Sequence, residues 1–107
     1  WFTEHYTDTH EEQVRAVLDT FLATSPEGYV GCCNAVGQAD FRHDLAGIAV
    51  PLLAIAGDDD PVCPPADLQF IAQHVADGRF AQVPGRHICN VESPAAFTAA
   101  LRDFLTA

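Results

Sequence analysis

The segment Val50-Pro51-Leu52-Leu53-Ala54-Ile55-Ala56 contains no polar side chain and is closed by Gly57 and three aspartates. A strand that is apolar on both faces has no side to offer water, so it belongs inside a parallel sheet covered by helices. Such a sheet needs company, because two strands alone bury too little surface to stand independently. One other segment reads as its partner, Arg79 to Val83. Between them Ala66 to Ala76 is predicted as helix, with Leu68, Ile71, Ala72 and Val75 at three- and four-residue spacing and Gly78 placed as its C-cap. After the second strand, Pro84 to Glu92 reads as loop, and Ser93-Pro94 opens a closing helix with Phe97, Leu101, Phe104 and Leu105 on one face. The predicted class is α/β with parallel strands.

The first 47 residues carry no strand pattern. Residues 9 to 24 read as helix, with Thr9 and Glu12 at capping-box spacing and a stripe of Val14, Val17, Leu18, Phe21 and Leu22. Ser25 is placed as the N-cap of a second helix with Pro26 in its first turn. There Tyr29, Cys32, Cys33 and Val36 form one face that is expected to be buried, and Gly37 loosens the end. Asp40 to Gly47 reads as a short helix or turn. Helices of this kind do not replace the strands a both-face-buried sheet requires. The chain is therefore expected to be the C-terminal piece of a larger α/β domain, with residues 1–47 a remnant of a helical cap and residues 48–107 a C-terminal βαβα part. The start at Trp1, without an initiator Met, fits that expectation.

Composition narrows the partners. Fifteen acidic residues against five arginines and no lysine give a formal charge of −10, which disfavours nucleic acid and anionic membranes. The longest apolar run, Ile48 to Ala56, is too short to span a bilayer, and no leader pattern precedes it, so a cytoplasmic location is expected. Alanine is frequent enough that the core is expected to hold fewer large side chains than the 49% apolar content suggests. The four cysteines form no C-x-x-C and share no ligand spacing with the five histidines. They are expected to be reduced apolar fillers, with no metal and no cofactor. His10-Glu11-Glu12-Gln13-Val14 lacks the second His of a zinc helix, and Asp58-Asp59-Asp60 runs straight into Pro61, which breaks a calcium loop.

Functional residue types concentrate in two loops, Gly57 to Pro65 and Pro84 to Glu92, each following a predicted strand. Ligand sites in open α/β sheets lie outside the strands' carboxyl ends, so both loops belong to one rim. An Asp on one strand end and a His on the next is the chain order of the second half of a Ser…Asp…His triad. The pairing has a chemical reason: a neutral imidazole takes the nucleophile's proton, and a carboxylate holds its tautomer and stabilises the imidazolium.

Gly57-Asp58-Asp59-Asp60-Pro61-Val62-Cys63-Pro64 and Gly85-Arg86-His87 resemble the acid and histidine loops of the α/β-hydrolase family. Trp1-Phe2-Thr3, Ala23-Thr24-Ser25-Pro26-Glu27-Gly28-Tyr29, Gly31-Cys32-Cys33 and His87-Ile88-Cys89-Asn90-Val91-Glu92 are similar to the late cap helices and histidine loop of 3-oxoadipate enol-lactonases. The resemblance implies Asp60 as acid, His87 as base, no cofactor, and hydrolysis of a small lactone or ester in a full-length parent. Arg86 departs from it, since a small residue usually precedes the His. The nucleophile's Gly-x-Ser-x-Gly is not in this sequence; Ser25 and Ser93 both read as N-caps. The chain alone is therefore expected to be inactive.

Other residues carry open alternatives. Trp1 and Tyr29 either line the substrate pocket or pack in a core. Arg42 pairs with a substrate carboxylate or, better, with Asp40 or Asp44. Asp58, Asp59, His5, His10, His43 and His74 are expected on solvated faces. Two further readings stand beside the lactonase: another α/β-hydrolase (esterase, haloperoxidase-like enzyme or acyltransferase), or a non-catalytic association module. The expected macromolecular partner is a second copy or the missing N-terminal half.

Overall fold

The computed structural model describes all 107 residues. Three helices come first, α1 (Glu4–Thr9), α2 (Glu11–Leu22) and α3 (Pro26–Gln38), then a 3-10 turn at Leu45–Gly47. The rest runs β1 (Leu52–Gly57), α4 (Pro65–His74), β2 (Gly78–Val83), a single turn α5 (Cys89–Glu92) and α6 (Pro94–Leu105).

The strands are parallel, in register from Leu52 opposite Gly78 to Gly57 opposite Val83. Helix α4 lies across both strands and α6 touches both. Ala54, Ala56, Ala72, Val75 and Val83 are the buried side chains of this unit, and no large side chain is fully buried. The alanines thus do what their number implied, making a thin core. A radius of gyration of 15.6 Å exceeds the roughly 13 Å of a compact chain this long. The excess comes from α2 and α3, which bury no residue. No helix is long and apolar enough to cross a membrane.

Several local expectations are corrected. The helix expected over residues 9 to 24 begins later, because α1 precedes it. Thr3 caps α1 by accepting from the Tyr6 N–H, and His10, at φ −132° and ψ 52°, breaks the run before α2. Thr9 is no N-cap, since its hydroxyl donates back to the His5 carbonyl at 2.7 Å. Gly78 opens β2 instead of capping α4, whose C-cap Val75 is already extended. Ser25 does cap α3, accepting from the Gly28 N–H at 3.2 Å with Pro26 at the first position. Ser93 precedes α6 without any side-chain cap bond. The α3 face expected to be buried is open: Cys32 and Cys33 are exposed and Val36 is 75% exposed. Of the four free cysteines only Cys89 is an interior filler.

Candidate active site

The end of β1 and the loop after β2 meet because Gly57 has no Cβ. A Cβ there would strike the backbone carbonyl oxygens of Arg86 and Gly85. Three hydrogen bonds then lace the two segments: Asp58 N–H to Val83 O at 2.9 Å, Asp59 N–H to Gly85 O at 3.1 Å, and Gly85 N–H to Asp58 Oδ1 at 2.9 Å. Asp58 is exposed, as expected of a solvated loop charge, and also acts as a latch between the loops. Asp59 is exposed, but it is paired with Arg86 Nε at 2.8 Å. Gly85 turns at φ +117°, a region that disfavours side chains, and this turn delivers His87 to the rim.

Asp60 and His87 come together there. His87 Nδ1 lies 3.0 Å from Asp60 Oδ2, while Asp60 Oδ1 accepts the N–H groups of Val62 and Cys63 at 2.8 and 3.1 Å. Asp60 is 8% exposed, whereas His87 keeps about a third of its side chain in solvent. Burial pushes the Asp60 carboxyl up, but the hydrogen bonds from His87, Val62 and Cys63 and the His87 charge outweigh it. The carboxyl ends below its ordinary value, as an anion aimed at one imidazole nitrogen. Cys63 stands beside this pair, and its thiol is pushed up, first by burial and then by the charges of Asp60 and Asp67.

Glu92, which sequence reasoning passed over, ties the histidine loop down. Its Oε2 accepts the Arg86 N–H at 2.9 Å, and its Oε1 accepts both the Thr3 N–H, at 3.2 Å, and the Thr3 hydroxyl. One carboxylate thus joins the residue before His87 to the N-cap of α1. The Tyr6 hydroxyl donates to Val91 O, and the Ile88 N–H donates to Trp1 O, so α1 is fastened to the same loop. No local pattern signals the bonds from Thr3, Tyr6 and Trp1 to this loop, which span 85 to 89 positions.

Trp1 is carried by that fastening to 6.4 Å from His87, ring centre to ring centre. Its other edge meets Phe21 at 5.6 Å, and Phe21 meets Tyr29 at 5.5 Å, both edge to face. Trp1, Phe2, Val14, Val17, Leu18 and Phe21 line an apolar hollow of about 400 Å³, of which Trp1 is the residue that reaches toward the histidine. Tyr29 stands one ring further out, in a second hollow with Leu22 and Val30. Arg42 holds Asp40 in a two-pronged pair at 2.8 and 2.5 Å. That contact pulls the Asp40 carboxyl down to about 2. His10 stacks on Tyr6 and His74 on Phe70, and neither joins the site.

Two parallel strands that present an Asp and a His from adjoining carboxyl ends, hydrogen-bonded to each other, are the acid–base side of a hydrolase built on an α/β sheet. The chain belongs to the α/β-hydrolase family and has the architecture of the C-terminal portion of that fold. Within it, the chain resembles the C-terminal part of 3-oxoadipate enol-lactonase. It is 39% identical over 101 residues to 3-oxoadipate enol-lactonase 2 of Acinetobacter baylyi, covering 94% of this chain and 38% of that protein. It is 30% identical over 105 residues to 3-oxoadipate enol-lactonase 1 of the same organism, covering 98% and 40%. The crystal structure of the enol-lactonase from Burkholderia xenovorans superposes on the whole chain with a TM-score of 0.96 at 37% identity, using 41% of that enzyme. The chain thus spans about two-fifths of the length of the relatives it matches. No protein-family model matches it.

Proposed function

We propose that this chain supplies the acid and the base of a Ser-Asp-His triad in a carboxylic ester or lactone hydrolase. The specific activity is hydrolysis of 3-oxoadipate enol-lactone, a step of aromatic-compound degradation in the cytoplasm. The observation that carries the reading is the 3.0 Å contact between His87 Nδ1 and Asp60 Oδ2 at the ends of paired parallel strands.

In this reading Asp60 fixes the tautomer in which His87 Nδ1 bears the proton, so Nε2 is the base. A serine on a strand outside these 107 residues attacks the lactone carbonyl while His87 Nε2 takes its proton. Donors beside that serine hold the oxyanion. His87 returns the proton as the enol oxygen leaves, then activates the water that frees the acyl-enzyme. Trp1 and Tyr29 wall the apolar side of the substrate pocket, and α2 and α3 act as the lid. No metal or organic cofactor takes part, and the 107 residues alone do not hydrolyse lactone.

The test joins this chain to the nucleophile-bearing remainder of the Burkholderia xenovorans enol-lactonase and follows ring opening of 3-oxoadipate enol-lactone. His87→Ala is expected to lower kcat by about 10⁴-fold or more, and Asp60→Ala by no more than His87→Ala does. Activity that survives His87→Ala overturns the reading.

A further inference from the structure

Cys63 has no task in that chemistry, yet it stands at its centre. Its N–H binds Asp60 Oδ1 at 3.1 Å, and one ligand atom from each of Asp60, Cys63 and His87 lies within 4.8 Å of the other two. No other trio of His, Cys, Asp or Glu gathers this way in the molecule.

A carboxylate, a thiolate and an imidazole form the mixed hard and soft donor set that suits zinc, with a fourth tetrahedral position left for water. Zinc–sulfur bonds of about 2.3 Å and zinc–nitrogen or –oxygen bonds of about 2.0–2.1 Å place neighbouring ligands roughly 3.3–3.6 Å apart. Asp60 Oδ2 and His87 Nδ1, at 3.0 Å, are already near that spacing. The longest separation must close by about 1.2 Å, within reach of a χ1 rotation at exposed Cys63. The surroundings favour a dication: Asp58, Asp59 and Asp67 neighbour the ligands in chain or space, and Arg86, the nearby cation, is engaged by Asp59.

We infer that Asp60, Cys63 and His87 form a zinc-binding site whose occupation replaces the Asp60–His87 hydrogen bond. On binding, the Cys63 S–H bond breaks and its proton passes to solvent, while the His87 Nδ1–H bond breaks and, by exchange with solvent, Nε2 takes up a proton, which frees the Nδ1 lone pair. Thiolate, carboxylate and neutral imidazole each donate a lone pair to the ion. Nothing is oxidised or reduced. The regulatory consequence, zinc holding the acid–base pair out of catalysis, rests on the proposed function; the binding itself does not.

Zinc chloride titrated into the full chain by calorimetry tests the site, with the histidine ring signals followed by NMR. One zinc per chain is expected, with His87 ring signals shifted at one equivalent. Cys63→Ser should weaken binding at least tenfold, and a Cys32→Ser, Cys33→Ser double variant should leave it unchanged. Binding to Cys63→Ser as tight as to the native chain, or His87 signals that do not move, overturns the inference. Neither readout needs hydrolysis, so the lactonase reading stands or falls separately on His87→Ala in the joined protein.

Discussion

Gly57→Ala puts the convergence of the two loops to a direct test. The added Cβ would fall on the carbonyl oxygens of Arg86 and Gly85, and 2.9 Å from the Gly85 carbonyl carbon. All three are backbone atoms, so no side-chain rotation relieves them. The end of β1 and the histidine loop must separate by roughly 1 Å to reach ordinary contact. That separation strains the Asp58–Val83, Asp59–Gly85 and Gly85–Asp58 hydrogen bonds, each worth about 0.5–1.5 kcal/mol. Overpacking of this kind typically costs about 1–3 kcal/mol, so a loss of about 2–4 kcal/mol is expected in total. In urea the midpoint should fall by about 1–2 M. The control is Gly31→Ala in α3, where a Cβ meets nothing within 4 Å; relief of glycine's helix penalty should stabilise it by up to about 1 kcal/mol. The His87 ring signals should move in the first variant and stay in place in the second. A Gly57→Ala chain with native stability and unshifted His87 signals would refute the close approach on which the site is built.

Asp60 gives the chain an acid limb. Its folded carboxyl lies below the ordinary 3.8, so its contribution to stability is complete above that value and is lost as pH falls through the lowered one. Asp60→Asn should flatten the stability profile below about pH 4, and an unchanged acid limb would contradict the hydrogen-bonding pattern assigned to Asp60. Glu92→Gln turns one carboxylate oxygen into a donor facing an N–H or a hydroxyl, which should cost about 1–3 kcal/mol in urea unfolding; a neutral result would mean that the Thr3 and Arg86 contacts carry no weight. Self-association is expected from the apolar surface at Leu22, Val36, Phe41 and Val50, each between 65% and 75% exposed, and from the free edge of β1. Light scattering across a concentration series should show a dimer or larger species, and a cooperatively folded monomer at low micromolar concentration would count against it.

Much of the chain could be read locally. The unbroken apolar run marked β1 and its parallel setting, because burial on both faces removes every polar residue from a strand. Ser25-Pro26 marked the start of α3, because capping and the proline φ act within three residues. Chain order brought an Asp loop and a His loop into view, and the resemblance to the α/β-hydrolase acid and histidine loops singled out Asp60 and His87 within them. Where local signals competed, the reading failed: Thr9 and Glu12 matched a capping box, yet Thr3 and His10 set the helix ends. The face with Cys32, Cys33 and Val36 has helical spacing, but periodicity says only that a face could be buried, not that something covers it. Tertiary structure alone decided that Glu92 clamps the histidine loop to Thr3, that Asp58 latches Gly85, that Trp1 stands beside His87, and that Cys63 joins the acid–base pair. These contacts link positions as far as 89 residues apart, with no periodicity to reveal them. The loops that carry Asp60 and His87 converge because Gly57 lets two backbones pass closer than any side chain would allow.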